Sequence, residues 1–291
     1  MAENDRQRRE RLPAAVHDLA LRLGADPKMN RSSVKLTQTG RIKRSIHKES
    51  WMSFTATQTI STRECAFDWR ARAGPFGIVS ARDALQDGEG RFDVMALGVI
   101  PIARAEHSSA LMRGELMRYL AELAWAPDAI LLNAALRWRA DGPDRLAVSA
   151  GVGETAAEVM LSLDSEGRIA GGFAPDRPRS ATAPILPTPW RGRFSDYRHH
   201  DSMWLPFAGE VAWEIDGREE VTGRAGLKAG RGKAIVTDLR YGRATFTIEP
   251  LSAQWVVCNA AILAAQHEAP GSVIVYRCRQ DDRLMSEAAG P

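Results

Sequence analysis

Apolar and polar residues alternate with a period of two through most of the chain. Phe54, Ala56 and Ile60 share one side of such a segment, and threonines occupy positions between them. Because successive side chains of a strand point to opposite faces, this pattern predicts strands with one buried face. Short turns such as Asp87-Gly88 separate the segments, which indicates antiparallel hairpins.

One segment has a helical period instead. Between Leu111 and Trp125 the apolar residues recur at the spacing of a single helical face, and Pro127 ends or kinks the run. A shorter amphipathic helix is predicted over Leu12 to Leu23, with Gly24 where it would stop. We therefore expect an antiparallel β protein with one well-marked internal helix.

Composition divides the chain into three regions. Residues 1–11 are predicted to form a charged N-terminal arm, residues 12–217 the main curved-sheet domain, and residues 218–291 an extension rich in Arg and Gly. We expect this extension to continue the sheet and to end in a mobile tail. Five prolines between Pro175 and Trp190 predict a loop across the surface or over a cavity mouth.

Charge and cysteine content narrow the functional classes. The 39 basic and 36 acidic residues leave a net charge of +3, so a nucleic-acid partner is not expected. Cys65, Cys258 and Cys278 are too far apart to indicate a zinc site or a disulfide framework, and no motif indicates a cofactor. The start of the chain lacks a secretory signal, and the longest uncharged apolar run is shorter than the ~20 residues of a membrane span. We expect a cytoplasmic protein without a transmembrane segment.

Four motifs follow one another in the main domain. They are WMxFxAxQ at 51–58, FxWxA at 67–71, RDAxxDGxG at 82–90 and GELxRYLAE at 114–122. In this order they resemble a bacterial family known only as a domain of unknown function, and the likeness extends over roughly residues 12–213. The family has no established activity. Its strand order with an inserted helical segment is similar to the curved, incomplete β-barrels of periplasmic lipoprotein carriers, which hold an acyl chain against the concave face.

The resemblance and the strand pattern together predict the fold and a type of ligand. The fold is expected to be α+β and mainly antiparallel: a curved, partly open β-barrel with a helical segment over its concave face. An apolar or amphipathic, lipid-like small molecule is the expected partner in that concavity.

The internal helix carries the densest group of charges. Glu115, Arg118 and Glu122 lie at positions i, i+3 and i+7, on neighbouring parts of one side, with Tyr119 at the border of the apolar stripe. If this side faces water, the group is an ordinary surface ion-pair ladder. If it faces the concavity, it contacts a ligand, and Glu115 or Glu122 is a candidate general acid or base of an enzyme.

Gln58 is predicted to point inward with Phe54 and Ile60, where its amide needs a hydrogen-bond partner such as the backbone or Arg118. Tryptophans are expected to form an apolar wall, with Trp51 and Trp125 among them. The predicted ligand-binding residues are Gln58, Trp69, Arg118, Tyr119, Glu122 and Trp138.

Other polar groups favour simpler interpretations. Asp83 and the carboxylates beside Asp87-Gly88 are typical of turn chemistry rather than of a cation site. His199-His200-Asp201 suggests a metal site, but adjacent residues of a strand point to opposite faces, so a polar hairpin turn is favoured. A further alternative for the whole protein is an interaction module that contacts a partner through the segment after Gly217.

Overall fold

The computed structural model describes residues 12–45, 48–179 and 185–227. The predicted charged arm and the residues after 227, with the predicted mobile tail, lie outside these ranges. No helix among the described residues is long and apolar enough to cross a membrane.

Three α-helices and thirteen strands make up the described chain. The α-helices are α1 (Ala14–Arg22), α2 (Ser109–Ala121) and α3 (Pro127–Leu132), and single 3₁₀ turns lie at Pro27–Met29, Pro75–Gly77, Glu122–Trp125 and Gly153–Thr155. The strands are β1 (Ser33–Ser45), β2 (Lys48–Ser61), β3 (Phe67–Ala73), β4 (Val79–Gln86), β5 (Glu89–Ala96), β6 (Ile100–Arg104), β7 (Arg137–Ala140), β8 (Arg145–Ala150), β9 (Ala157–Leu163), β10 (Ile169–Pro178), β11 (Pro187–His200), β12 (Met203–Ile215) and β13 (Arg218–Leu227).

All thirteen strands belong to one antiparallel sheet, in the order β6-β5-β4-β3-β2-β1-β13-β12-β11-β10-β9-β8-β7. The first six strands run from the middle of the sheet to one edge. The chain then passes through α2 and α3 and returns from the opposite edge, β7, to the middle. The edges β6 and β7 are not paired with each other, so the sheet is curved and open, and the predicted α+β, mainly antiparallel fold is confirmed.

Strand β13 lies in the middle of this sheet. It pairs with β12 on one side and with β1 on the other, where Gln38 is opposite Leu227. The segment after Gly217 therefore begins as a central strand.

Helix α2 is enclosed by the curved sheet. Ser108 caps its N-terminus by accepting a hydrogen bond from the backbone N–H of Leu111 at 3.1 Å. The helix packs against β9 and β10 from one half of the sheet and against β4 and β5 from the other. From Gly114 to Ala121 every residue is buried, because the sheet covers the helix on several sides. The sequence predicted a helix from Leu111 to Trp125, and α2 together with the 3₁₀ turn that follows it covers this range. The charged side of the helix is buried rather than exposed.

The backbone of β5 touches the first turn of α2. A Cβ atom on Gly90 would lie 2.9 Å from the side chain of Leu111 and 3.0 Å from the backbone nitrogen of Met112. Only glycine allows this approach, so the position fixes the helix against the sheet.

A buried ion pair holds the connection between α1 and β1. Arg31 Nη1 donates to Oδ2 of Asp128 in α3 at 2.9 Å, and Arg31 Nη2 donates to Oγ of Ser202 in the β11–β12 turn at 2.9 Å. The backbone N–H of Asp26 donates to the second Asp128 oxygen at 2.9 Å. These bonds link three separate parts of the chain.

The segment between Pro175 and Trp190 that was predicted as a loop is strand at both of its ends. β10 continues to Pro178 and β11 begins at Pro187. The pairing register of these strands shifts between Ala174 and Arg177, and such irregularities tolerate the missing N–H of proline. The loop predicted from the number of prolines is therefore longer than the connection between β10 and β11.

Candidate functional site

Arg118 of α2 is at the centre of a buried ionic cluster. Its Nη1 donates to Oδ2 of Asp83 in β4 at 2.5 Å, and its Nε donates to Oε1 of Glu122 at 2.8 Å. The guanidinium carbon lies 4.8 Å from the ring centroid of Phe67 and 5.6 Å from that of Trp69. Burial alone would lower the pKa of Arg118, but the charges of Glu122 and Asp83 outweigh it and raise the pKa. Arg118 is therefore held as a cation.

A chain of amides connects this cluster to the middle of the sheet. Trp69 Nε1 donates to Oε1 of Gln38 at 2.9 Å, and Gln38 Nε2 donates to Oε1 of Gln58 at 2.9 Å. Gln58 Nε2 then donates to Oε2 of Glu122 at 2.5 Å. Because an indole and a guanidinium only donate, the order of donors fixes both amide orientations. Glu122 accepts hydrogen bonds at both oxygens, from Gln58 and Arg118, so the series of hydrogen bonds ends at a group that only accepts.

Glu115 connects the cluster to the other half of the sheet. Its carboxyl is hydrogen-bonded to that of Asp83, and its Oε2 lies 4.0 Å from Nη2 of Arg177 in β10. Burial, and then the charge of Asp83, raises the pKa of Glu115 well above its usual value. Two carboxyl groups can share a hydrogen bond only when one is protonated. With the proton on Glu115, the cations of Arg118 and Arg177 balance the carboxylates of Asp83 and Glu122.

Arg177 lies against two tryptophans. Its guanidinium carbon is 4.6 Å from the ring centroid of Trp190 and 5.7 Å from that of Trp213, and these two residues are directly opposite each other on β11 and β12. Arg177 Nε and both indole Nε1 atoms are buried and have no hydrogen-bond acceptor among the described residues. Three buried donors without acceptors therefore lie at or beside this cation, and Oδ1 of Asp83 is a buried acceptor without a donor among the described residues.

Tyr119 belongs to a separate set of hydrogen bonds. Its hydroxyl donates to the backbone oxygen of Ser61 at 3.0 Å and accepts from Nδ2 of Asn133 at 2.9 Å. Burial raises the pKa of Tyr119 and keeps the phenol neutral. The side chain ties α2 to the end of β2 and to the residue after α3.

A family model matches residues 3–225 of the chain. The chain belongs to DUF6544, a family of unknown function. The family membership inferred from the four motifs is thereby confirmed. No curated protein matches the chain.

Two solved structures have a similar fold. One is a LolA superfamily protein from Nitrosomonas europaea, at 9% identity and a TM-score of 0.42, with 74% of this chain and 92% of that chain covered. The other is a DUF1329 family protein from Desulfovibrio piger, at 11% identity and a TM-score of 0.40, with 74% of this chain and 90% of that chain covered. These likenesses concern the fold alone.

The four motifs on which the resemblance to a family of unknown function rested meet at the buried cluster. GELxRYLAE supplies Glu115, Arg118 and Glu122, and RDAxxDGxG supplies Asp83. WMxFxAxQ ends with Gln58, and FxWxA supplies the rings below Arg118. Residues separated by up to sixty-four positions thus form one connected group.

The structure brings together four of the six predicted ligand-binding residues. Gln58, Trp69, Arg118 and Glu122 are joined by the hydrogen bonds described above, with Gln38 between Trp69 and Gln58. All four are buried. Tyr119 lies on the same helix but has other partners. Trp138 is on the edge strand β7, half-buried against the core.

Three expectations about this site need correction. The surface ion-pair ladder is wrong, because Glu115, Arg118 and Glu122 are all buried. Gln58 points inward as predicted, but it bonds to Gln38 and Glu122 rather than to Arg118. Trp51 is not in the inner wall with Trp125, because it alternates with the inward Met52 and Phe54 and its ring lies 5.8 Å from Lys43 on the outer face.

Sequence reasoning missed three members of the cluster. Asp83 was interpreted as part of a turn, although it shares a strand face with Leu85. Gln38 shares the predicted inward side of Val34 and Leu36, which was the available signal. Arg177 lies in a segment whose prolines indicated a loop.

The remaining polar candidates lie in turns or at the strand ends beside them. His199 and His200 end β11, and their rings lie 5.5 Å from Trp204 and 6.4 Å from Phe207. Within the described ranges, no group of three or more His, Cys, Asp or Glu residues is arranged to hold a metal ion.

Proposed function

We propose that the protein binds a small amphipathic, lipid-like molecule within the concavity of its sheet, and that the molecule's acidic head contacts Arg177. The observation that carries this proposal is the group of buried donors around that residue. Arg177 Nε, Trp190 Nε1 and Trp213 Nε1 have no acceptor among the described residues. Leaving a buried donor unpaired costs about 1–3 kcal/mol, and a carboxylate or phosphate oxygen would satisfy such donors.

The predicted ligand-binding residues keep distinct roles in this proposal. Arg118 contributes a second cation, whose Nη2 also has no acceptor within the described chain. Gln58 and Glu122 hold Arg118 in place through their hydrogen bonds. The rings of Trp69, Tyr119 and Trp138 are proposed to contact the apolar part of the ligand. The protein is proposed to act in the cytoplasm.

Fluorescence titration tests the proposal, because Trp190 and Trp213 lie at the proposed head-group site. Native mass spectrometry of gently purified protein first shows whether a molecule is already bound. The protein is then titrated with dodecanoate and with dodecanol, which share the alkyl chain but differ in the head. We expect dodecanoate to bind more tightly, because only its head is an anion.

Two variants locate the binding site. Arg177→Gln is expected to weaken dodecanoate binding at least about tenfold, since a charged hydrogen bond contributes about 1.5–3 kcal/mol. Arg191→Gln is the matched control, because Arg191 lies partly exposed over Phe173. A purified protein without ligand that binds neither alkyl compound would refute the proposal. Equal dodecanoate affinity of both variants would refute the role of Arg177.

A second candidate is an enzyme that uses Glu115 as a general acid. The specific observation is the carboxyl pair of Glu115 and Asp83 between two arginines, which holds a proton on a buried acid. Glu122 is the weaker candidate, because both of its oxygens already accept hydrogen bonds. If the molecule found by mass spectrometry is converted by the wild type and bound but unchanged by Glu115→Gln, the enzyme hypothesis holds. If neither protein converts it, the binding function alone is supported.

A further inference from the structure

Two turns at one end of the sheet expose large apolar side chains. Phe76 lies between β3 and β4 and is 102% exposed, while Leu97 and Val99, between β5 and β6, are 67% and 74% exposed. The backbone N–H of Leu97 donates to the oxygen of Ile78 at 2.7 Å, so the two turns are adjacent. We call this surface the apolar tip; its exposed members are Phe76, Ile78, Leu97, Val99, Ile100 and Ile102.

The backbone of these turns is unusual for the residues it carries. Phe76 and Leu97 have φ values of 55° and 53°, and each precedes a glycine with positive φ. Two other turns of the sheet have the same arrangement, but they carry Asp87 and Asp216 at this position. Asp and Asn tolerate this conformation, whereas bulky apolar residues rarely adopt it. The tip therefore places apolar side chains in water on strained backbone, where polar residues would fit the turn better.

The edge strand at the tip differs from the opposite edge of the sheet. β6 exposes Ile100 and Ile102, whereas β7 carries Arg137 and Arg139. Pro101 lies in β6 between the two isoleucines. Because proline lacks an N–H, addition of a further strand at this edge is disfavoured. The apolar side chains of the tip are therefore better suited to insertion than to pairing of sheet edges.

The charged residues around the apolar tip favour one kind of partner. The tip itself carries no charge, since no charged residue occurs at 73–81 or 94–103. The outward positions of β3 to β6 carry five arginines against three carboxylates. The arginines are Arg70, Arg72, Arg82, Arg91 and Arg104, and Arg72 lies directly beside the turn that carries Phe76. Apolar insertion beside a basic surface suits a bilayer that contains anionic lipid.

We propose that the apolar tip inserts into the surface of an anionic lipid bilayer, with the arginines of β3 to β6 against the headgroups. Insertion removes the tip from water without burying a charge. This surface is formed by strand connections and is distinct from the buried cluster, so the proposal stands independently of the ligand proposed above.

Vesicle sedimentation of the full-length protein tests this proposal. One set of vesicles contains phosphatidylcholine alone, and the other contains equal parts of phosphatidylcholine and phosphatidylglycerol. We expect the wild type to sediment with the anionic vesicles and less with the neutral ones. Arg72→Gln is expected to reduce the difference between the two sets.

The double variant Phe76→Asn, Leu97→Asn separates membrane binding from folding. Asn favours positive φ, so the variant should be at least as resistant to urea as the wild type. Its partition to anionic vesicles should fall by about tenfold or more, because two large apolar side chains are lost. Val152→Asn is the matched control, since Val152 is 78% exposed on another turn.

Three outcomes would overturn the proposal. The first is that the wild type fails to sediment with either set of vesicles, and the second is that the double variant sediments as the wild type does. The third is that analytical ultracentrifugation shows a dimer of the wild type that the double variant abolishes, with no vesicle binding. The tip would then be a contact between two copies of the chain.

Discussion

Replacing Glu115 by glutamine isolates the contribution of one buried proton to stability. Glutamine has nearly the size of the protonated acid, and its amide can donate to Asp83 in place of the carboxyl proton. The variant therefore keeps the neutral form of the site and removes only its titration.

The sign of the effect follows from the raised pKa of Glu115. The unfolded chain releases this proton near the ordinary value of 4.5, whereas the folded protein retains it to higher pH. The stabilisation is complete below that ordinary value and is lost as the pH rises through the raised pKa. Between the ordinary pKa and the raised one, only the folded state holds the proton. In that interval Glu115 lowers the free energy of unfolding of the wild type by about 1.4 kcal/mol per pH unit.

Urea unfolding followed by tryptophan fluorescence measures this slope at several pH values between about 5 and about 7. The difference in the free energy of unfolding, variant minus wild type, should increase by up to about 2.7 kcal/mol over this range. Asp68 and Asp93 have lowered pKa values and contribute the opposite slope, but they are present in both proteins and cancel in the difference.

Glu106→Gln makes the same chemical change at an exposed position and serves as the control. A constant difference between wild type and Glu115→Gln over the whole range would refute the reasoning. It would show that the folded protein does not hold the proton on Glu115.

Three further changes test the fold. Asp128→Ala leaves Arg31 buried without its partner and should lower the free energy of unfolding by about 3–5 kcal/mol, measured by urea unfolding. Gly24→Ala should lower the melting temperature and cost at least about 1 kcal/mol, because φ is 81° and the new Cβ would lie 2.2 Å from the oxygen of Ser202. Ending the chain after Gly217 removes the central strand β13, so we expect loss of the cooperative unfolding transition seen by circular dichroism. A soluble, cooperative truncated protein would instead support a separate interaction segment.

The strands and the internal helix could be predicted because they depend on local periodicity. Phe54, Ala56 and Ile60 alternate with threonines and are buried as expected. Gln58 follows the same period, so its inward direction could be predicted as well. Its partner could not, because Gln38 and Glu122 reach it through pairing and packing between distant segments.

The burial of the charged side of α2 could not be predicted from spacing. Glu115, Arg118 and Glu122 have the same spacing in an exposed ladder as in a buried cluster. The difference is the curvature of the sheet, which depends on all thirteen strands. The inward position of Arg177 could not be predicted for another reason. Prolines at a strand irregularity and prolines in a loop have the same sequence signature.

The buried cluster is poorly explained by stability alone. Arg118 and Glu122 bond to the half of the sheet formed by β1 to β6, while Glu115 faces Arg177 in the other half. Ionic groups buried in this way are often no more stabilising than apolar residues of the same size, because their desolvation offsets their attraction. An apolar core would join the two halves equally well and would leave no donors unsatisfied around Arg177. The buried donors without acceptors around Arg177 and the raised pKa of Glu115 are the two observations on which the proposed binding and proton-transfer roles rest.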